Sequence, residues 1–274
     1  MADVRVEVAG TTTTIWMDRP DRRNAVDGPM AAELREAFEA FEADPEQRVA
    51  VLAGAGGTFC AGADLSAVGD PDRRNELDPE GGGSGPMGPS RMRLSKPLIA
   101  AVSGYAVAGG LELALLADMR IMERDAVFGV FCRRWGVPLI DGGTVRLPQV
   151  VGLGRAMDLI LTGRPVDAGE ALAMGLANRV VEPGEAVGAA RELAAQIADF
   201  PFECVLTDRA STYAGLDLPT AEALRAEGAA GAPIVVREGV DGAARFVAGE
   251  GRHGHFTGTD VSPERRPPHE PHHP

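Results

Sequence analysis

Residues 98–125 read LIAAVSGYAVAGGLELALLADMRIMERD. The run opens as a continuous apolar stretch, the pattern of a strand buried on both faces. It turns toward the paired glycines Gly109 and Gly110, continues as LELALLAD, which reads as a helix, and resumes in MRIMERD and AVFGV as strand candidates. Strand and helix in alternation imply an α/β architecture with parallel pairing. One charged side chain, Glu112, interrupts the apolar run before Asp118. A first-turn acid has two readings. It is either a solvent-facing complement to the helix dipole, or a cleft-facing acid whose pKa apolar neighbours raise so that it trades protons.

Working outward, VRVEVAG and TTTTIWMDRP alternate or carry β-branched residues and read as an early hairpin. Met30, Leu34, Phe38 and Phe41 follow at helical spacing behind an Asp27-Gly28-Pro29 start. RVAVLAGAG is a short apolar run ending in glycine, a buried strand, and GTFCAGADL a tight loop leading to a short helix. Residues 69–97 are rich in glycine, proline and charge without apolar periodicity. A segment of that kind is a lid over a site or a tolerated insertion. RAMDLILTG, DAGEALAMG and ANRVVEPGE read as helix, helix and strand, and residues 184–200 as a helix with Val187, Leu193 and Ile197 on one face. The chain therefore divides into a core at 1–200, a helical region at 201–256 and a proline- and histidine-rich tail at 257–274 that reads as disordered.

Composition narrows the chemistry. The 274-residue chain is 45% hydrophobic and 24% charged, as in an ordinary globular protein. It has no apolar run long enough to span a membrane, and MADVRVEVAG does not read as a signal peptide. A net charge of −13 makes nucleic acid a poor partner. Cys60, Cys132 and Cys204 are sparse and lack CxxC spacing, which argues against a disulfide framework and a zinc site and for a reducing cytoplasm. All five histidines fall at or beyond residue 253, so the core offers none to a nucleophile pair or a metal. Carboxylates are left to carry acid–base work.

Among the local motifs, VGLGRA at 151–156 lacks a third glycine and reads better as a helix start than as a dinucleotide turn. The AGA of FCAGADL offers a backbone amide to a cleft, or is a plain strand-to-helix turn capped by Asp64. Gly109 and Gly110 open a helix, whose unpaired amides suit an oxygen that becomes anionic. Asp141, before Gly142 and Gly143, is a turn aspartate when taken alone, and Phe131 and Trp135 read as core or pocket wall. Together these features change weight: two glycine-bracketed turns each offer an amide, and a carboxylate follows one of them by three residues.

RPDRRNAVD, GGTFCAGADL, KPLIAAVSGYAVAGGLELALLADMRI, GGTVRLPQVVG and AMDLILTGRPVDAGEALAMGLANRVVE occur in one order. In them the chain, over residues 4–256, resembles the crotonase superfamily, the enoyl-CoA hydratase/isomerase family. The resemblance implies a spiral of ββα turns with two roughly perpendicular sheets that carries the acyl-CoA site, and a C-terminal helical oligomerisation region at 201–256. It also implies trimers or hexamers, an acyl-coenzyme A substrate, and no cofactor beyond the coenzyme A that the substrate carries. It puts the oxyanion-binding amides at Ala63 and Gly109 and a catalytic acid at Glu112. The coenzyme would lie along Ala25, Ala61, Asp64 and Leu65, with Arg22 and Arg23 near its phosphates. Hydratases of the family keep a second glutamate after the Phe-Gly of the following strand; counted from Phe128–Gly129 without a gap, that position is Cys132. With a thiol there, Asp141 is the natural substitute. The implied reaction is hydration of a 2-enoyl-CoA in acyl-CoA breakdown, with a double-bond isomerase or a non-catalytic acyl-CoA-binding paralogue as alternatives.

Overall fold

The alternating VRVEVA and the threonine-rich TTTIWM form antiparallel strands β1 (Val4–Ala9) and β2 (Thr12–Met17). The structure is a computed structural model that describes residues 2–251; the tail expected to be disordered at 257–274 lies outside the described residues. Helix α1 (Gly28–Ala43) starts where Asp27 accepts the Met30 N–H, and it buries Met30, Leu34, Phe38 and Phe41 as their spacing requires. Strand β3 (Val49–Gly54) is buried along its whole length. It pairs in parallel with β2 and with β4 (Leu98–Val102). Strands β5 (Tyr105–Val107), β6 (Met119–Glu123), β7 (Val127–Gly129), β8 (Pro165–Asp167) and β9 (Arg179–Val181) complete two sheets, ordered β1-β2-β3-β4-β6-β9 and β5-β7-β8.

Burial on both faces explains the apolar strands. Ile15, Ala50, Leu52, Leu98, Ala100 and Val102 face one core, shared with α1 and with α2 (Gly109–Leu116). Val49, Val51, Ala53, Ile99, Ala101 and Ile121 face a second core, closed by Ala190, Leu193 and Ala194 of α6 (Ala186–Ala198). Between them in sequence lie α3 (Gly143–Val151), α4 (Leu153–Thr162) and α5 (Ala168–Ala173). VGLGRA is the junction of α3 and α4, where Gly152 turns the chain at φ 80°. Strand β8 has no sequence signal: it is three residues long, opens on proline, pairs antiparallel with β7 and buries Val166 in the core.

The segment 69–97 forms no helix or strand, yet residues 86–90 are buried. The polypeptide divides into two compact units at residues 210 and 211. The first holds both sheets. The division falls within α7 (Phe202–Gly215), and the second unit continues with α8 (Thr220–Ile234), a π-helical turn at Val235–Gly239 and α9 (Val240–Ala248). The expected helical character of the region after residue 200 holds over the described residues. The fold is thus α/β with two sheets and a C-terminal helical region. Among the described residues no helix is long and apolar enough to cross a membrane.

Candidate active site

The loop after β3 is shaped by Asn24. Its side chain donates to the carbonyls of Ala55 (2.9 Å) and Thr58 (2.6 Å) and accepts the Arg19 N–H (2.9 Å). Arg23 and Asn24 both sit at positive φ, which asparagine tolerates. From there Cys60 pairs with Ala106 as in a parallel strand, and Ala63 with Val26. The Val26 N–H donates to the Gly62 carbonyl and the Asp64 N–H to the Val26 carbonyl, both at 2.9 Å. In a parallel bridge of this pattern the central residue turns its own N–H away from its partner. The Ala63 amide therefore points away from Val26.

The second amide arises at the end of β5. Ala108 sits at φ 55°, ψ −125°, a conformation costly for a residue with a Cβ, and its N–H donates to the Gly129 carbonyl at 2.8 Å. That turn starts α2 at Gly109. Among the described residues neither the Ala63 nor the Gly109 N–H has an acceptor. The two segments touch: a Cβ placed on Gly62 would lie 3.1 Å from the Gly109 nitrogen and 2.9 Å from the Ala108 Cβ. A Cβ on Gly110 would lie 2.2 Å from the Cys60 carbonyl oxygen, so only glycine lets the helix approach this closely.

Every residue of α2 is buried, and Glu112 is 2% exposed. This excludes the solvent-facing reading. Its Oε1 accepts the N–H groups of Asp141 (2.9 Å) and Gly143 (2.8 Å), while Oε2 takes no hydrogen bond from the described residues. Burial pushes its pKa from 4.5 up to about 7, and the nearby Asp141 charge adds to the rise against the pull of the two amides. Gly143 has no room for a side chain, since a Cβ there would lie 2.9 Å from both Cγ and Oε1 of Glu112.

Asp141 is buried as well. Its Oδ1 accepts the Met87 N–H at 2.9 Å and the Ser90 hydroxyl, and burial raises its pKa against those bonds and the charges of Arg91 and Arg146. The loop 86–90 thus borders the acids. Met87 also packs over the start of α2, where a Cβ on Gly109 would lie 2.9 Å from its Sδ. Cys132 is buried, and its thiol pKa is raised by burial and then by the charge of Glu112, which puts the substituted position near that acid. Cys60 lies in the same neighbourhood: burial pushes its thiol up to about 12, with a contribution from the Asp141 charge.

The remaining candidates are distributed differently. Arg22 and Arg23 are exposed and Leu65 is 47% exposed, while Ala25 and Ala61 are half-buried. The Asp64 carboxylate turns inward. It accepts from Ser66 and pairs with Arg19 and Arg73, each at 3.1 Å, and the same two arginines pair with Asp27. Burial works to raise Asp64, but Ser66 and the two guanidinium groups outweigh it and hold the carboxyl below its ordinary range. This four-charge cluster ties residue 64 to α1 and to the start of the 69–97 loop. Trp135, read as core or pocket wall, is instead 70% exposed, because the short 3-10 turn at Phe131–Trp135 carries it outward. Among the described residues no group of His, Cys, Asp and Glu side chains could hold a metal ion. Asn24, Met87 and Ser90 carry no role in the sequence alone, and Gly143 marks only a turn there. Asn24 stood in a quoted motif without a role, and the others act through contacts that no local pattern encodes.

The enoyl-CoA hydratase/isomerase family model matches residues 7–238. Enoyl-CoA hydratase EchA19 of Mycobacterium tuberculosis is 40% identical over 203 residues, covering 72% of this chain and 74% of its own. Carnitinyl-CoA dehydratase of Proteus mirabilis is 42% identical over 192 residues, covering 69% and 72%. Among solved structures, an enoyl-CoA hydratase from Mycobacterium tuberculosis H37Rv matches with a TM-score of 0.84 and 33% identity, over 94% of this chain and 100% of the other.

Proposed function

The chain belongs to the enoyl-CoA hydratase/isomerase family, and on that premise we propose that it adds water across the double bond of a 2-enoyl-CoA. The observation that carries the proposal is the pair of acceptor-free amides, Ala63 and Gly109, on touching segments beside a buried carboxylate. A thioester carbonyl lodged between those donors gathers negative charge as water adds at C3. Each well-aimed donor lowers the barrier by roughly 3–4 kcal/mol. Two buried carboxylates in each other's field do not both ionise readily, so Glu112 and Asp141 hold one proton between them near neutrality. The ionised member takes a proton from the attacking water; the protonated member delivers one to C2. The atoms of one water are thereby added, and the proton passes back between the acids.

Coenzyme A arrives with the substrate, and no further cofactor enters. Arg22 and Arg23 are exposed cations beside the turn at Ala25, available to its phosphates. The working unit in this reading is a homo-trimer, alone or paired into a hexamer, in the cytoplasm. Leu153, Met157 and Leu161 form an exposed apolar row on α4, which another copy of the chain would cover. A second reading, a double-bond isomerase, draws on Cys132: with a thiol at the second glutamate position, one proton-shuttling base suffices for isomerisation. The test is a chain-length panel of 2-enoyl-CoA thioesters, starting from crotonyl-CoA, followed by loss of the enoyl thioester absorbance and by product identity. Asp141→Asn should lower kcat about 10²-fold or more, the scale of general acid–base assistance. An unchanged kcat removes Asp141 from the mechanism. Binding without turnover across the panel leaves a non-catalytic acyl-CoA-binding protein.

A further inference from the structure

Among the described residues, both donors to the Asp141 side chain come from one short stretch of the 69–97 loop. The Met87 N–H, 54 residues away in sequence, and the Ser90 hydroxyl, 51 residues away, meet on Oδ1. Oδ2 receives nothing from the described residues. Ser90 is 0% exposed, so its hydroxyl is withdrawn from bulk solvent. The turn is tightly built around it: the Arg91 N–H donates to the Ser84 carbonyl at 2.7 Å, and a Cβ on Gly85 would lie 2.1 Å from the Ser90 oxygen. Met87, in the same turn, packs against Gly109.

The two acids differ in what faces them. Asp141 is opposed by Glu112 on α2 and supported by Arg91 on the loop and Arg146 on α3; its charge also reaches the Cys60 thiol. Glu112 is opposed by Asp141, raises the Cys132 thiol pKa, and among the described charged groups is supported by Arg146. Both accept two hydrogen bonds, but one of those to Asp141 comes from a side-chain hydroxyl.

We infer that Ser90 is a positioning residue: its hydroxyl, donating to Oδ1, keeps Asp141 the ionised member of the acid pair and leaves Oδ2 as the oxygen that takes the proton from water. Glu112 is then the member that carries the proton to C2. This rests on the role proposed above for Asp141. It gives the long loop a chemical task, the setting of proton ownership between two acids on separate elements.

The experiment compares wild type, Ser90→Ala and Asp141→Asn in the full chain with the enoyl-CoA that turns over fastest. A base must be ionised to act, and loss of a donor to its charged form raises the pH at which it ionises. Ser90→Ala should therefore move the acid limb of the kcat/KM–pH profile upward by about one pH unit, with about a ten-fold loss just below the wild-type limb. A limb that stays in place overturns the inference, whether kcat falls or not, because a purely structural role lowers kcat without moving it. If Asp141→Asn turns over like wild type, the underlying role of Asp141 fails, and the inference with it. A second readout needs neither turnover nor the Ser90 variant: 13C titration of wild-type carboxyl groups, assigned with Asp141→Asn and Glu112→Gln. Asp141 ionising at lower pH than Glu112 supports the inference, and the reverse order overturns it.

Discussion

Replacing Glu112 by glutamine should stabilise the protein above neutrality while removing its chemistry. The reasoning starts from burial. Glu112 ionises near 4.5 in an unfolded chain and near 7 in the fold, chiefly because α2 withdraws it from water. Below the lower value both states hold the proton, and the group is neutral to stability. Between the two values the unfolded chain releases its proton and the folded one keeps it, so the free energy of unfolding falls as pH rises. Above about 7 the fold carries an ionised buried carboxylate, and the gap between 4.5 and about 7 corresponds to about 3 kcal/mol of lost stability. Glutamine has no charge to desolvate, and its Oε1 still accepts the Asp141 and Gly143 amides. Urea unfolding of wild type and variant over a pH range of about 4 to 8 should give curves that converge in acid and separate by up to about 3 kcal/mol in base, the variant being the more stable. Enoyl-CoA turnover should fall by about 10²-fold or more in the same variant. Stability curves that run parallel across the range would refute the idea that the fold holds this carboxylate at a desolvation cost.

Two glycines test the geometry. Gly143→Ala adds a Cβ 2.9 Å from Cγ and Oε1 of the buried Glu112 in a helical position without positive φ, so thermal unfolding should register an overpacking loss of about 1–3 kcal/mol, and in the folded variant a shift of about half an ångström in the acid should lower kcat about ten-fold; equal kcat by steady-state assay would show that Glu112 has slack. Gly62→Ala meets φ 97° and puts a methyl group 3.1 Å from the Gly109 nitrogen. Thermal unfolding should register a loss of about 1–3 kcal/mol, and kcat at a temperature where the variant stays folded should drop about 10²-fold. Full activity in that folded variant would rule out the Gly109 amide as a donor to substrate.

Much of this was readable from the chain alone. The apolar runs of β3, β4 and β6, the spacing of Met30, Leu34, Phe38 and Phe41, and the Asp27 cap are local signals, because backbone periodicity and capping depend on neighbours in sequence. Ordered motifs pointed to the family, and elimination of histidine left carboxylates for the chemistry. What the string of residues did not contain was the state of each group. Glu112 could face water or a cleft until α2 was seen buried on all sides. Asp64 stood beside the amide of Ala63, yet it belongs to an ion cluster with Arg19, Arg73 and Asp27. The 69–97 loop had no pattern to read, and its buried turn reaches Asp141 across 51 residues. The Ala63 amide is free because Val26 takes the bonds on either side of it, and the pKa of Glu112 rises because distant segments exclude water. Both conditions are set by long-range packing, which sequence periodicity leaves undetermined.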